Sequence, residues 1–212
     1  MLLTDKFASK KEMNNRGFAL SGMASAFLLW TTYFVMANMR PEYSFKYKAI
    51  SELGSLDAPN LWFWNVLGYV IPGLLIAIFS IGLNKYSAEK NSSKIPYYGL
   101  ALSGLFMTLS GIFPADMENR KSITTILHMI GSYGSYVSFL FAAFTYPKVW
   151  KKNKDWQPII RPTLICVWLT IIFGSWYIFF PNIPSVGQRI VFLLYFLWIV
   201  ITAIRLYRIK TQ

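Results

Sequence analysis

Residues 62–84 read WFWNVLGYVIPGLLIAIFSIGLN, a run without one charged side chain. An α-helix rises 1.5 Å per residue, so about 20 apolar residues cross the roughly 30 Å of hydrocarbon in a bilayer. This stretch is therefore long enough to span. Five others have comparable length and character: 17–39, 96–114, 123–146, 159–180 and 188–204. A closed β-barrel is the only other way to satisfy backbone polar groups in lipid, and these runs lack the alternation a barrel strand needs. The expected fold class is all-α, a polytopic six-transmembrane-helix bundle, with residues 1–212 forming a single membrane domain.

Composition agrees. Hydrophobic residues make up 55% and charged residues 14% of the chain, and a soluble domain carries nearly twice that share of charge. In a soluble protein the formal net charge of +12 would suggest nucleic acid. Its placement points elsewhere. The N-terminus, the links around 85–95 and 147–161, and the C-terminal tail hold 15 of the 21 Lys and Arg. The alternate links hold the other 6: Arg40, Lys46, Lys48, Arg120, Lys121 and Arg189. Positive residues are retained on the cytoplasmic side, so both termini are expected inside. Asp and Glu divide 4 inside to 5 outside, without that bias. The basic excess is a topology signal, and no nucleic-acid partner is expected. Trp62 and Trp64 are expected at the outer interface, and Tyr97, Tyr98, Trp150 and Trp156 at the inner one. The first 16 residues carry Lys6, Lys10, Lys11 and Arg16 but no apolar core, and the following run is too long for a signal peptide. It reads as an anchor that stays.

The single cysteine, Cys166, lies in an apolar run and excludes an intramolecular disulfide. His128 is the single histidine, whereas catalytic zinc usually takes two or three. Neither a metal nor a cofactor is expected.

The longest link, 40–61, faces outward in this topology and contains AISELGSLDAPN at 49–60. It contributes Ser51, Glu52, Asp57 and Asn60. A second outer segment supplies Asp116, just beyond Pro114, and leads to His128 in the fourth span. A third adds Gln188 and Arg189 at the start of the sixth. If the fourth span enters the bilayer near Ile123, the imidazole lies about 8 Å below the outer boundary. Ser132 and Ser135 follow on the same helix face, and Gly131 and Gly134 allow a neighbouring helix to approach.

Each of these residues has two readings. A stripe of small residues is a packing seam, and a membrane histidine can simply hydrogen-bond across helices. Alternatively, His128 is a base or acid, with Asp116 or Glu52 orienting it and Ser51 or Ser132 as nucleophile. Glu52 can equally cap a short helix begun near Ser51, or pair with Arg189.

Four motifs, ISELGSLDAPN, GIFPADM, HMIGSYGSY and GQRIVFLLYFLW, taken in order, resemble those of the prokaryotic membrane family catalogued as domain of unknown function 998 (DUF998). The likeness runs from the first span to the last. More distantly, the acidic loop and the His-Gly-Ser-like helix are similar to the Frag/DRAM/Sfk group of six-span proteins, which is linked to lipid handling. The resemblance implies six helices with cytoplasmic ends, and points to Glu52, Asp116, His128 and Arg189 as motif residues. It assigns no reaction.

Two functions of different class follow. In the first, an outer-leaflet pocket binds a lipid head group or a lipid-linked or membrane-protein partner. Ser51, Asn60, Ser132, Gln188 and Arg189 line it, and Arg40 and Arg189 meet phosphate. In the second, the protein is an intramembrane lipid hydrolase or acyltransferase with His128 as base and Asp116 and Glu52 beside it. A small transporter ranks third, because ionisable groups at mid-depth are few. The expected location is the prokaryotic cytoplasmic membrane.

Overall fold

The computed structural model describes residues 2–89 and 91–209, with side chains described from Asn15 onward. Of the charges used to orient the chain, Lys90 and Lys210 lie outside the described residues, as do the side chains of Lys6, Lys10 and Lys11. Among the described residues there is no strand, and six helices are long and apolar enough to cross a membrane. They are α1 (Leu2–Asn38), α2 (Leu61–Ser87), α3 (Ile95–Ile112), α4 (Ile123–Trp150), α5 (Gln157–Gly174) and α6 (Ser185–Arg208).

Several boundaries differ from the hydropathy reading: the first helix, Leu2–Asn38, begins well before residue 17, the sixth, Ser185–Arg208, extends beyond 188–204, and two further spans also change. The fourth span continues through Pro147 to Trp150. The fifth stops at Gly174, where Ser175 turns the chain into a separate short helix, Trp176–Phe179. Apolarity alone cannot mark that break, because the residues on both sides of it are equally greasy.

Within α2, residues Asn65–Val70 form a wide π-type turn in which the Ile71 N–H reaches back to the Val66 carbonyl. Pro72 follows immediately and has no N–H to offer the preceding turn, so a local change of register there is where a helix accommodates it. The turn holds Tyr69 in the bundle interior, 3% exposed.

The helices pack as α1 on α2, α2 on α3, α3 on α4, α5 on α6, and α6 back on α1. Closest approach occurs where side chains vanish. A Cβ on Gly73 would meet the Gly104 carbonyl and Thr108. Likewise, one on Gly131 would meet Ser110 Oγ and the Phe106 carbonyl, so the glycines of α4 face α3. At the termini face, Asn15 Nδ2 donates to the Leu206 and Ile209 carbonyls at 3.2 and 3.0 Å, joining α1 to α6.

Aromatic placement corrects part of the interface expectation. Trp64, Trp150 and Trp156 are fully buried rather than turned to the lipid boundary. Tyr146, Trp150 and Trp156 instead stack successively, with centroids 4.8 and 5.1 Å apart. Trp62 and Tyr98 are exposed, as interfacial anchors must be.

Candidate functional site

The face opposite the termini is organised by how α3 ends. Pro114 supplies no N–H, so the Ser110 carbonyl four residues earlier loses the partner that a continuing helix would give it. His128 fills the gap. Its Nδ1 lies 2.9 Å from the Ser110 carbonyl and 3.1 Å from that of Phe113. Carbonyls only accept, so Nδ1 carries the proton and Nε2 is left as an acceptor. Among the described residues no donor reaches Nε2.

A run of hydroxyls extends from this point. Ser110 Oγ donates to the His128 carbonyl at 3.1 Å and lies 3.1 Å from Ser132 Oγ. Since the Ser110 proton is committed, Ser132 is the donor of that second bond and turns its lone pairs outward. One layer deeper, Ser103 Oγ donates to the Ser135 carbonyl at 2.8 Å and meets the Tyr195 hydroxyl at 2.9 Å. There α4 and α6 touch, with the Phe139 and Tyr195 rings 4.5 Å apart.

Above that layer a cleft of about 350 Å³ separates α4 from α6. Ser51, His128, Ser132 and Gln188 supply its polar groups, and Tyr136, Phe173 and Tyr177 are among its aromatic walls. A smaller hollow of about 70 Å³ continues inward past Ser132 and Gln188 to Tyr69, Ser110 and Tyr195. Gln188 is oriented by its neighbour: Oε1 accepts from the Ile50 N–H at 2.8 Å. Its amide nitrogen has no acceptor among the described residues, and Gln188 borders the cleft.

Four expected site residues thus meet: Ser51, His128, Ser132 and Gln188. The others do not line the cleft. Asp116 Oδ1 accepts from the Glu118 and Asn119 N–H groups at 3.1 and 2.9 Å, closing its own turn. Its main-chain N–H donates to Thr125 Oγ1 at 2.7 Å, bracing the start of α4. The position an orienting carboxylate would take at Nδ1 belongs to the two carbonyls instead. Glu52 follows the capping alternative: Oε1 accepts from the Ala49 N–H at 2.7 Å, stapling the short 3-10 helix Ile50–Gly54. Asn60 is exposed and left-handed at φ 57°, and its carbonyl accepts from Phe63 and Trp64 as the chain turns into α2.

Arg189 is enclosed. Nε donates to the Tyr33 hydroxyl, Nη1 to the Ser185 carbonyl, and Nη2 to the Tyr43 hydroxyl and the Lys48 carbonyl, all within 2.7–2.9 Å. The rings of Tyr33, Tyr43 and Phe45 surround it at 5.8, 5.5 and 5.6 Å. Arg40 is likewise occupied, with Nε on Glu42 Oε1 at 2.8 Å and Nη1 on the Glu52 carbonyl at 2.9 Å. Neither guanidinium stands ready to receive a phosphate. The Tyr43 phenol is pushed up by burial, the largest effect on it, and stays neutral beside the arginine.

Among the described residues, no group of three His, Cys, Asp or Glu is placed to hold a metal ion. The sequence reading missed Tyr69, Tyr136, Tyr195 and Ser110. Each sits inside an apolar run, where a tyrosine or serine facing a cleft looks like one facing a neighbouring helix.

Six apolar helices around a buried seam define an integral, multi-pass membrane protein. Within that class, residues 23–205 match the family described as "Protein of unknown function (DUF998)", and the chain belongs to it. No curated protein and no solved structure matches the sequence.

Proposed function

We propose that this protein binds a membrane lipid or lipid-linked molecule in the cleft between α4 and α6. The head group sits against Ser51, His128, Ser132 and Gln188, and the apolar tail runs along the aromatic wall. By the distribution of Lys and Arg, the cleft belongs to the outer leaflet of the cell membrane. The observation that carries this reading is His128: a side chain 5% exposed whose Nε2 has no partner and borders a cleft with aromatic walls. Nε2 opens onto that cleft as an acceptor, so a ligand hydroxyl can donate to it there. The test is lipid analysis of the purified protein after mild extraction. Wild type should retain a lipid selectively, and His128→Asn should lose it, because asparagine can replace the Nδ1–H but not the Nε2 acceptor. Equal lipid content in the two proteins would remove the case.

A second reading, hydrolysis or acyl transfer on a lipid, is favoured by the same fixed tautomer. An imidazole whose Nδ1–H is held by main chain presents Nε2 as a base to a cleft bordered by Ser51 and Ser132. Asp116 would contribute here by bracing the start of α4, and Glu52 by holding the loop that carries Ser51, rather than by touching the ring. Membrane lipid profiles of cells expressing wild type or His128→Asn at equal levels distinguish the readings. Accumulation of one lipid species only in the variant indicates turnover.

A further inference from the structure

We infer that the cleft selects an uncharged, hydroxyl-bearing lipid head group of the diacylglycerol type over a phosphate-bearing one. The inference rests on the lipid-binding reading and gives the ligand its chemical class. No Lys, Arg, Asp or Glu lines either the cleft or its inward hollow among the described residues. Arg120, eight residues before His128, does not line the cleft, and Arg189, beside Gln188, and Arg40, in the loop before α2, are engaged with protein acceptors as described. Lys46 and Lys48 of that loop touch α6 through main-chain carbonyls, which accept from Ser185 N and Arg189 Nη2.

The polar groups that line the cleft and hollow are neutral, and the hydroxyls among them, Ser51, Tyr69, Tyr133 and Tyr177, can both donate and accept. His128 Nε2 presents a lone pair, and Ser132 Oγ has spent its proton on Ser110. Gln188 supplies a donor through its amide nitrogen. An alcohol matches this set, because its O–H donates to Nε2 or Ser132 while its oxygen accepts from Gln188. A phosphate could accept from the hydroxyls and the Gln188 amide, but it would oppose the Nε2 lone pair and bring a charge into a lining that holds no cation to pair with it.

The start of α6 is the one feature that favours an anion, since helix N-termini attract negative charge. Its first N–H groups are already taken, Ser185 N by the Lys46 carbonyl and Val186 N by that of Ile183. Trp176 packs over Gly187 and covers the same turn.

The experiment uses the full-length protein in phosphatidylcholine nanodiscs at pH 7.5. Two photoreactive probes with identical diazirine acyl chains, a diacylglycerol and a phosphatidic acid, are added at equal mole fraction. Labelled peptides are then mapped by mass spectrometry, with and without unlabelled competitor. The diacylglycerol should label peptides of α4 and α6 at least about tenfold more than the phosphatidic acid, competitively. Ser132→Ala, which also removes the hydrogen bond to Ser110, should reduce that labelling several-fold at an unfolding midpoint close to that of wild type. Met129→Lys, which places a cation at the cleft wall, should raise labelling by phosphatidic acid. Equal or stronger labelling by phosphatidic acid in the wild type overturns the neutral-head-group inference and leaves the lipid site standing. Labelling by neither probe at these peptides, or labelling that no competitor displaces, overturns both.

Discussion

Arg189 and Tyr43 hold each other in place: Nη2 donates to the phenol oxygen at 2.7 Å while the guanidinium lies 5.5 Å from the centre of the same ring. The contact ties the start of α6 to the loop that precedes α2, and Tyr43 passes the connection on by donating to the Ala49 carbonyl at 3.0 Å. Ser51, which borders the cleft, lies two residues further. Tyr43→Phe removes both hydrogen bonds and keeps the ring, and should destabilise the protein by about 1–3 kcal/mol. Thermal unfolding in detergent measures this. An unchanged midpoint would mean that the loop is held by something else.

Acidification should loosen the same loop. The Arg40 guanidinium, through its hydrogen bond, holds the Glu42 carboxyl below its ordinary 4.5, and the Ser55 side chain does the same for Asp57 relative to 3.8. A carboxylate whose pKa is lower when folded adds stability above its unfolded pKa, and loses it as pH falls through the folded one. The expected window therefore lies below about pH 4.5, with no change between pH 5 and 8. Hydrogen exchange of residues 40–60, corrected for intrinsic rates, should show protection falling in that window and less so in Glu42→Gln.

The approach of α2 to α3 depends on Gly73 and Gly104, since a Cβ on either would enter the backbone of the other helix. Gly73→Ala should cost about 1–3 kcal/mol through overpacking, despite alanine's better helix propensity. A stabilised Gly73→Ala protein would show that the two helices have room to separate.

How much of this was legible in the sequence follows from what hydropathy measures. The six crossings were readable because about 20 consecutive apolar residues have few other physical meanings. The break at Gly174 was not, because Trp176–Phe179 is as apolar as the helix before it. Among the site residues, His128 was conspicuous as an ionisable group at membrane depth, and Ser132 shares its helix face by periodicity. Glu52, Asp116 and Arg189 were conspicuous for the same reason, yet their charges are spent on an N–H at Ala49, on a turn, and on an aromatic cage. Charge marks a residue as needing partners; it does not tell whether those partners are a ligand or the protein itself. Tyr69 and Tyr195 carry no mark at all until the helices are placed.

The capping role of His128 can be separated from any ligand role by pairing it with Pro114. His128→Ala leaves the Ser110 carbonyl without its donor in a buried setting, and should cost about 1–3 kcal/mol of stability. The need for that donor arises because residue 114 has no N–H. In a Pro114→Ala background the restored N–H can reach back to Ser110 and extend α3 by one hydrogen bond. The same His128→Ala substitution should then cost at least about 0.5 kcal/mol less, a coupling that a double-mutant cycle resolves. Additive losses would mean that the imidazole does not replace the missing amide, and that its hold on the two carbonyls has another origin.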